Sequence, residues 1–329
     1  MKKIKLLTFC LLLTGSLSFA VNETDVNIPK SGKTSVAATD AEISENIESE
    51  TGTLKNTLSK VKLKIGKSEW KLVWRDEFDG NSLDMSRWSY WENGNPWNSG
   101  NYLDENGNFV DQYGFKAKHY YLKENVKVKD GNLVIELKKE TDKTVKINEV
   151  ERKIQYSSGA VHTKDKYSIR YGKIEMRAAM PKGIGVWPAF WTWPKDYSQA
   201  VGSPAKEEID IVEAYGDKFR KIAGTAHALK SDNTYASFGG SDLKLKKSED
   251  LTEFNTYAIE WDEKKIKWYF NGRHYKTLSM KKVRKFTDNT FKLEHFLMIN
   301  VALQEKTGED GDINFPTEMK IDYVRVYKK

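Results

Sequence analysis

Between residues 207 and 216 the chain reads E-E-I-D-I-V-E-A-Y-G, and three of these acids, Glu208, Asp210 and Glu213, have a spacing with chemical consequences. The apolar residues Ile209, Ile211 and Val212 predict a β-strand, on which side chains alternate between faces. Glu208 and Asp210 then share one face, and Ile209 and Ile211 the other. Strict alternation would turn Glu213 towards the core. One inserted residue, a β-bulge, returns it to the acid face, and bulges beside active sites re-aim side chains in this way. A solvated strand also carries charges at alternate positions, but it would interleave lysine with acid, because carboxylates crowded on one face repel. Two neighbouring carboxyls, one ionised to attack an anomeric carbon and one protonated to release the leaving oxygen, meet the requirements of glycoside hydrolysis. A third acid between them tunes both, since like charges raise a neighbour's pKa. Four regular strand steps span about 13 Å, whereas retaining chemistry needs carboxyls roughly 5–5.5 Å apart. The strand must therefore be curved and bulged for the two glutamates to lean together.

The elements around this strand supply aromatic surface. Residues 183–193 read G-I-G-V-W-P-A-F-W-T-W, the densest aromatic cluster in the chain. Aromatic faces stack on sugar C–H faces, so Trp187 and Trp191 are expected to face a ligand and Phe190 to pack in the core. The stretch 88–114 is rich in Asn, Gly, Trp and Tyr with little periodicity, and it includes Trp91, Trp97 and Tyr102. A long aromatic loop of this kind is usually functional, and Trp97 is a further candidate for substrate contact. Short alternating runs recur at Lys71–Trp74, Tyr156–Thr163, Tyr167–Met180, Ile222–Leu229, Tyr257–Trp261, Phe296–Leu303 and Met319–Tyr327. Asp130-Gly131 and Asn271-Gly272 are hairpin turns by type. Strands about every 8–15 residues, with no long amphipathic helix and no internal repeat, predict an all-β antiparallel sandwich or jelly roll.

The chain has 329 residues, 39% of them hydrophobic and 12% aromatic, enough for a substantial core. Residues 1–20 read as a signal peptide: Lys2, Lys3 and Lys5, an apolar run from Leu6 to Leu13, and a small-x-small site at Ser18-Phe19-Ala20. That makes Val21 the expected mature start and the protein secreted or periplasmic, with cell-surface attachment as a variant. Residues 21–67 read as a linker rich in Ser, Thr, Glu and Ala without aromatics, which leaves 68–329 as the folded domain. The apolar run is too short to span a bilayer. The sole cysteine, Cys10, lies inside the signal, so the mature chain has no disulfide and no thiolate metal site. The formal net charge of +7 is spread along the chain rather than gathered into a stripe, which argues against nucleic acid as a partner.

The ordered set Y-S-S-G-A-V-H-T (156–163), Y-G-K-I-E-M-R-A-A-M-P-K-G (171–183), W-P-A-F-W (187–191), E-I-D-I-V-E (208–213), T-A-H (225–227), M-I-N-V-A (298–302) and I-D-Y-V-R-V-Y (321–327) resembles glycoside hydrolase family 16 from about Trp70 to the C-terminus. The resemblance implies a β-jelly-roll of two curved antiparallel sheets with a substrate cleft across the concave face. It implies endo-cleavage of β-linked polysaccharide with retention. It assigns Glu208 as nucleophile, Glu213 as acid/base and Asp210 as the acid between them, and puts His227 and Arg177 in the cleft. It also implies a structural calcium held by Glu77, the Gly131 carbonyl and Asp322 on the convex side; catalysis needs no cofactor. The bulged E-x-D-x-x-E form is similar to the laminarinase, agarase, porphyranase and κ-carrageenase branch. Two stretches depart from the family pattern, residues 93–114 and Leu303–Gly308. Both lie where subsite loops would be, so they bear on linkage rather than on chemistry. β-1,3-Glucan or mixed-linkage glucan is the expected substrate, with β-linked galactans as the alternative. A non-catalytic lectin on the same fold is the competing class, and a monomer is expected.

Overall fold

The computed structural model describes residues 70–91, 119–147, 150–195, 207–230, 232, 234–239, 242–304 and 313–329, and three short strands between 102 and 117. The chain divides into two units, 1–66 and 67–329, and every described residue belongs to the second. In chain order its strands are β1 (Lys71–Asp76), β2 (Ser89–Tyr90), β3 (Tyr102–Leu103), β4 (Phe109–Val110), β5 (Lys116–Ala117), β6 (Tyr120–Tyr121), β7 (Val126–Lys129), β8 (Asn132–Ile147), β9 (Val150–Ser158), β10 (Ala160–His162) and β11 (Gly172–Ala179). They continue as β12 (Val186–Pro194), β13 (Glu207–Ala214), β14 (Lys221–Leu229), β15 (Tyr235–Ser237), β16 (Leu243–Lys244), β17 (Asn255–Trp261), β18 (Lys265–Phe270), β19 (Arg273–Ser279), β20 (His295–Leu303) and β21 (Thr317–Lys328), with one short helix, α1 (Met280–Val283), after β19.

Two large sheets form the sandwich. One has ten strands in the order β19-β18-β17-β11-β21-β8-β9-β6, with β1 beside β21 and β7 beside β8. The other has eight, β15-β14-β13-β12-β20-β10-β2, with β16 beside β14. Neighbours pair antiparallel apart from β6 and β9. Strands β3, β4 and β5 make a separate small sheet. The jelly-roll expectation is met.

Alternation explains the layers. In β18 every second residue is buried, Ile266, Trp268 and Phe270, and in β11 the buried Ile174, Met176 and Ala178 alternate with Lys173, Glu175 and Arg177. These faces meet Phe190, Ile209, Val212, Ile299 and Val301 of the eight-stranded sheet in one continuous core. Each fully buried side chain of this size contributes about 1.5–3 kcal/mol. Strands β12, β13 and β20 are buried almost throughout. One face lies on the core, and the other carries a second cluster of Trp193, Phe296 and Met298 with Trp91 and Trp191 against it. The two Asx-Gly turns form as expected, with positive φ at Asp130 (52°), Gly131 (70°), Asn271 (48°) and Gly272 (70°), the geometry that favours such pairs in two-residue hairpins. Among the described residues no helix is long and apolar enough to cross a membrane.

Candidate active site

The face of the eight-stranded sheet turned away from the core carries the three acids. In β13, Glu208 pairs with His227 of β14 and Asp210 with Thr225, but the next pair is Glu213 with Ala223. On the other side Trp191 of β12 faces Asp210 and Phe190 faces Val212. Both ladders slip at Ile211-Val212, so the expected bulge is present. Ile209, Ile211 and Val212 all enter the core.

His227 Nε2 lies 3.2 Å from Asp210 Oδ2, and Glu208 shares a side-chain hydrogen bond with Asp210. Ligand atoms of Glu208, Asp210 and His227 all lie within 4.8 Å of one another. Burial and the Asp210 charge push Glu208 well above the usual carboxylate range, while His227 works in the opposite direction. Glu213 is pushed up to about 8 by burial and then by Asp210; His227, Tyr215 and Trp187 oppose this. Burial alone would lower His227, but its hydrogen bond to Asp210 and the charges of Asp210, Glu208 and Glu213 outweigh that and hold it at about 9. At neutral pH the imidazole is therefore a cation. In this state the cluster is a charge-compensated group, with the His227 cation set among the carboxyls of Glu208, Asp210 and Glu213.

Glu213 has two donors on one oxygen. Trp187 Nε1 reaches Glu213 Oε1 at 3.0 Å and the Tyr215 hydroxyl reaches the same atom at 3.2 Å. The two rings stack, with centroids 5.7 Å apart and planes at 22°. A carboxylic acid whose carbonyl oxygen is engaged in this way holds its proton on the other oxygen, Oε2. The sequence offers Trp187 as a sugar-stacking ring; the structure gives its N–H a partner on the acid itself. Tyr215 has no apolar pattern to mark it and is legible only as the third residue after Val212.

Trp191 is half-buried and donates from Nε1 to Asn300 Oδ1 at 2.8 Å, while Asn300 Nδ2 donates to the Tyr121 hydroxyl at 2.9 Å. Trp91, Trp191 and Trp193 form a continuous aromatic wall, with centroids 6.0 Å apart for Trp91 and Trp191 and 5.2 Å for Trp191 and Trp193. A shallow recess is lined by Trp91, Trp193, Phe296, Met298, His162 and Lys164. Along the row Asp210, Trp191, Met298, His162 the strands step sideways by about 4.8 Å each. The recess therefore runs from Trp193, one strand from the acids, to His162, three strands away. Trp97 lies outside the described residues.

One assignment needs correction. Arg177 is not in the cleft. It stands on the outer face of the ten-stranded sheet, opposite the inward Met176, and its Nη1 lies 2.5 Å from Asp322 Oδ2, with its guanidinium 4.6 Å from the Phe254 ring centroid. The calcium ligands are otherwise engaged. Both oxygens of Glu77 accept from Arg325 at 2.8 and 2.7 Å, and Asp322 is held by Arg177. Each of these carboxylates thus carries a guanidinium in the structure.

A β-sandwich with a bulged central strand, two glutamates and an aspartate on its outer face, and tryptophans along the same face defines a carbohydrate-active class of protein. Residues 115–325 match the model of glycosyl hydrolases family 16, and the chain belongs to that family. It is 34% identical over 269 residues to a glucan endo-1,3-beta-glucosidase A1 of Niallia circulans, covering 78% of this chain and 38% of that protein. It is 31% identical to a beta-glucanase of Rhodothermus marinus, covering 79% of this chain and 85% of the relative. The laminarinase catalytic domain of Thermotoga maritima superposes with a TM-score of 0.67 at 35% identity, over 80% of this chain and 99% of that domain. The chain thus spans well under half of the Niallia protein and nearly all of the Thermotoga domain.

Proposed function

We propose that the protein is an endo-acting, retaining β-glucan hydrolase whose substrate is β-1,3-glucan or mixed-linkage β-glucan. The observation that carries this reading is Glu213, turned by the bulge onto the face of Glu208 and Asp210 and fixed through Oε1 by Trp187 and Tyr215. A lectin has no use for a buried aspartate flanked by two half-buried glutamates with a protonated histidine among them. The relatives named for endo-1,3-beta-glucosidase and beta-glucanase action support the substrate class.

In this reading a Glu208 oxygen attacks the anomeric carbon as the glycosidic C–O bond breaks. The electron pair of that bond goes to the leaving oxygen, which takes the proton from Glu213 Oε2. The ester so formed is cleaved by water, whose proton passes to the now ionised Glu213 as its oxygen bonds to the anomeric carbon and Glu208 departs as a carboxylate. Asp210 raises both glutamates, which suits the acid but hinders the nucleophile. The His227 cation lowers both, and so keeps Glu208 able to ionise. We also propose that residues 1–20 direct export and that the mature chain begins at Val21; the intact mass of the secreted form tests this.

Laminarin, mixed-linkage glucan, agarose, porphyran and carrageenan should be digested in parallel, with reducing ends counted and the anomer first formed followed by NMR. The two glucans should be cut and the β-anomer should form first; an α-anomer would overturn retention, and cleavage of galactans alone would overturn the substrate class. Glu208→Ser should lose all hydrolysis. Glu213→Ala should lose polysaccharide hydrolysis but retain the first step on a dinitrophenyl glycoside, with azide restoring turnover as the β-glycosyl azide. Polysaccharide hydrolysis by the Glu208 variant, or an α-azide from the Glu213 variant, would reverse the roles.

A further inference from the structure

Behind the acids, on the core side of the catalytic strand, a lysine lies where apolar packing is the rule. Lys276 of β19 points inward and is 8% exposed. Its amine donates to the carbonyls of Gly224 and of Phe238, the latter at 2.9 Å, and sits 4.7 Å from the Trp268 ring centroid. Among the described residues no carboxylate pairs with it at contact distance. A buried cation without a counter-ion is costly, so its surroundings should explain it.

Those surroundings are the bulge. Between Asp210 and Glu213 the ladder skips Ile211 and Val212 on β13 and Gly224 on β14. On the far side of β14, β15 covers only 227–229 and β16 only 221–222, so Gly224 is passed over there too. A bulge leaves backbone groups unpaired, and buried carbonyls need a donor. Both donors come from the opposite sheet: Trp268 Nε1 reaches the Asp210 carbonyl at 2.8 Å, and Lys276 takes the Gly224 carbonyl. Gly224 has no Cβ for the same reason, since one would stand 2.3 Å from Trp268 Cδ1 and 2.7 Å from the Tyr275 hydroxyl.

We propose that Lys276 is a positioning residue for the catalytic acids: its ammonium, stacked on Trp268, fastens the bulge that aims Glu213 and supplies the positive charge behind the strand that lets Glu208 ionise. The charged and titratable groups facing it are Asp210 and Glu213 from β13, Asp242 ahead of β16, Lys282 of α1 and its neighbour Tyr275, with His227 beyond Asp210 on the cleft face. Burial lowers Lys276 to about 8, against the pull of Asp210, Asp242 and Glu213. The amine is therefore a cation throughout the acidic and neutral range where Glu208 must lose its proton.

This rests on the assignment of Glu208 as nucleophile, which fails separately if Glu208→Ser stays active. The test is the pH profile of kcat/KM on laminarin for Lys276→Gln, which keeps a donor and loses the charge. At an effective dielectric of about 20, a unit charge roughly 10 Å from a carboxyl shifts it by about one pH unit. The expected result is a folded enzyme with KM near wild type and an acid limb moved up by about 0.5–1 unit. Trp268→Phe, which loses the Asp210 tether but keeps the cation, should lower kcat without moving that limb. Lys276→Met, matched to the apolar walls, replaces the glutamine variant if the latter does not fold. An acid limb left in place in whichever variant folds overturns the proposal, because a purely structural lysine would change stability and rate but not the ionisation of Glu208.

Discussion

At the scale of the residue, the site depends on which oxygen of Glu213 holds the proton. Two donors on Oε1 do two things at once. They oppose the rise that burial and Asp210 impose on the acid, and they leave Oε2 as the oxygen that carries the proton. Trp187→Phe keeps a flat ring stacked on Tyr215 but deletes the N–H. Losing a donor that favours the ionised form raises Glu213 further, so the alkaline limb of the kcat profile should move to higher pH. With the proton less well aimed, kcat on polysaccharide should fall by about 10–100-fold, a part of the roughly 100–10,000-fold that a positioned acid contributes, and KM should change little. Stopped assays from pH 5 to 10 give both numbers. A raised KM with unchanged kcat would return Trp187 to the role of a sugar-stacking platform, as the sequence alone suggests.

At the scale of the element, the bulge in β13 decides the arrangement, and Gly224 opposite it is where a small change should be felt most. An added methyl must displace the Trp268 indole, and with it the bond to the Asp210 carbonyl. Overpacking of a dense core costs about 1–3 kcal/mol, and the lost bond adds about 1 kcal/mol. Gly224→Ala should therefore destabilise by about 2–4 kcal/mol in urea melts and slow catalysis as well; a cost below about 0.5 kcal/mol would mean that the indole has room to move. Such features also mark how far the sequence could be read. The Asp130-Gly131 and Asn271-Gly272 hairpins were legible because turn chemistry is local. The bulge was legible because the acid pattern made no sense without it. Arg177 was misplaced because the resemblance carried it to the cleft, and alternation along a strand does not say which sheet the strand joins and so could not check it. Its partner Asp322 lies 145 residues further on. Lys276 was passed over for a related reason: a charged residue in an alternating strand reads as solvent-facing, and the carbonyls that hold it belong to segments 38 and 52 residues away.

At the scale of the whole molecule, the catalytic group sets part of the dependence of stability on pH, and its sign can be worked out. Glu213 at about 8, against an ordinary 4.5, and His227 at about 9, against 6.5, keep protons in the folded state that the unfolded chain releases. Their contribution is fully present below the unfolded values. It is lost as pH rises, from about 4.5 to 8 for Glu213 and from 6.5 to 9 for His227. His119 and His162 act the other way. Burial lowers both to about 4, so they favour folding above their ordinary 6.5 and lose that contribution as pH falls through 4. Stability should therefore peak in the weakly acidic to neutral range and fall towards pH 9, where the active site, not the core, is the weak point. Active sites that hold costly charge commonly trade stability for activity in this way. Glu213→Gln isolates the acid's share: it keeps the shape and the acceptor for Trp187 and Tyr215 but cannot ionise. Thermal melts of the variant and the wild type at each unit from pH 4 to 9 should show almost no gap at pH 4. By pH 8 the gap should have opened to about 5 °C in favour of the inactive variant, as expected for about 2 kcal/mol in a domain of this size. A gap that stayed constant across the range would mean that Glu213 titrates alike in the folded and unfolded chains, and the reading of it as an acid protonated at neutral pH would fall.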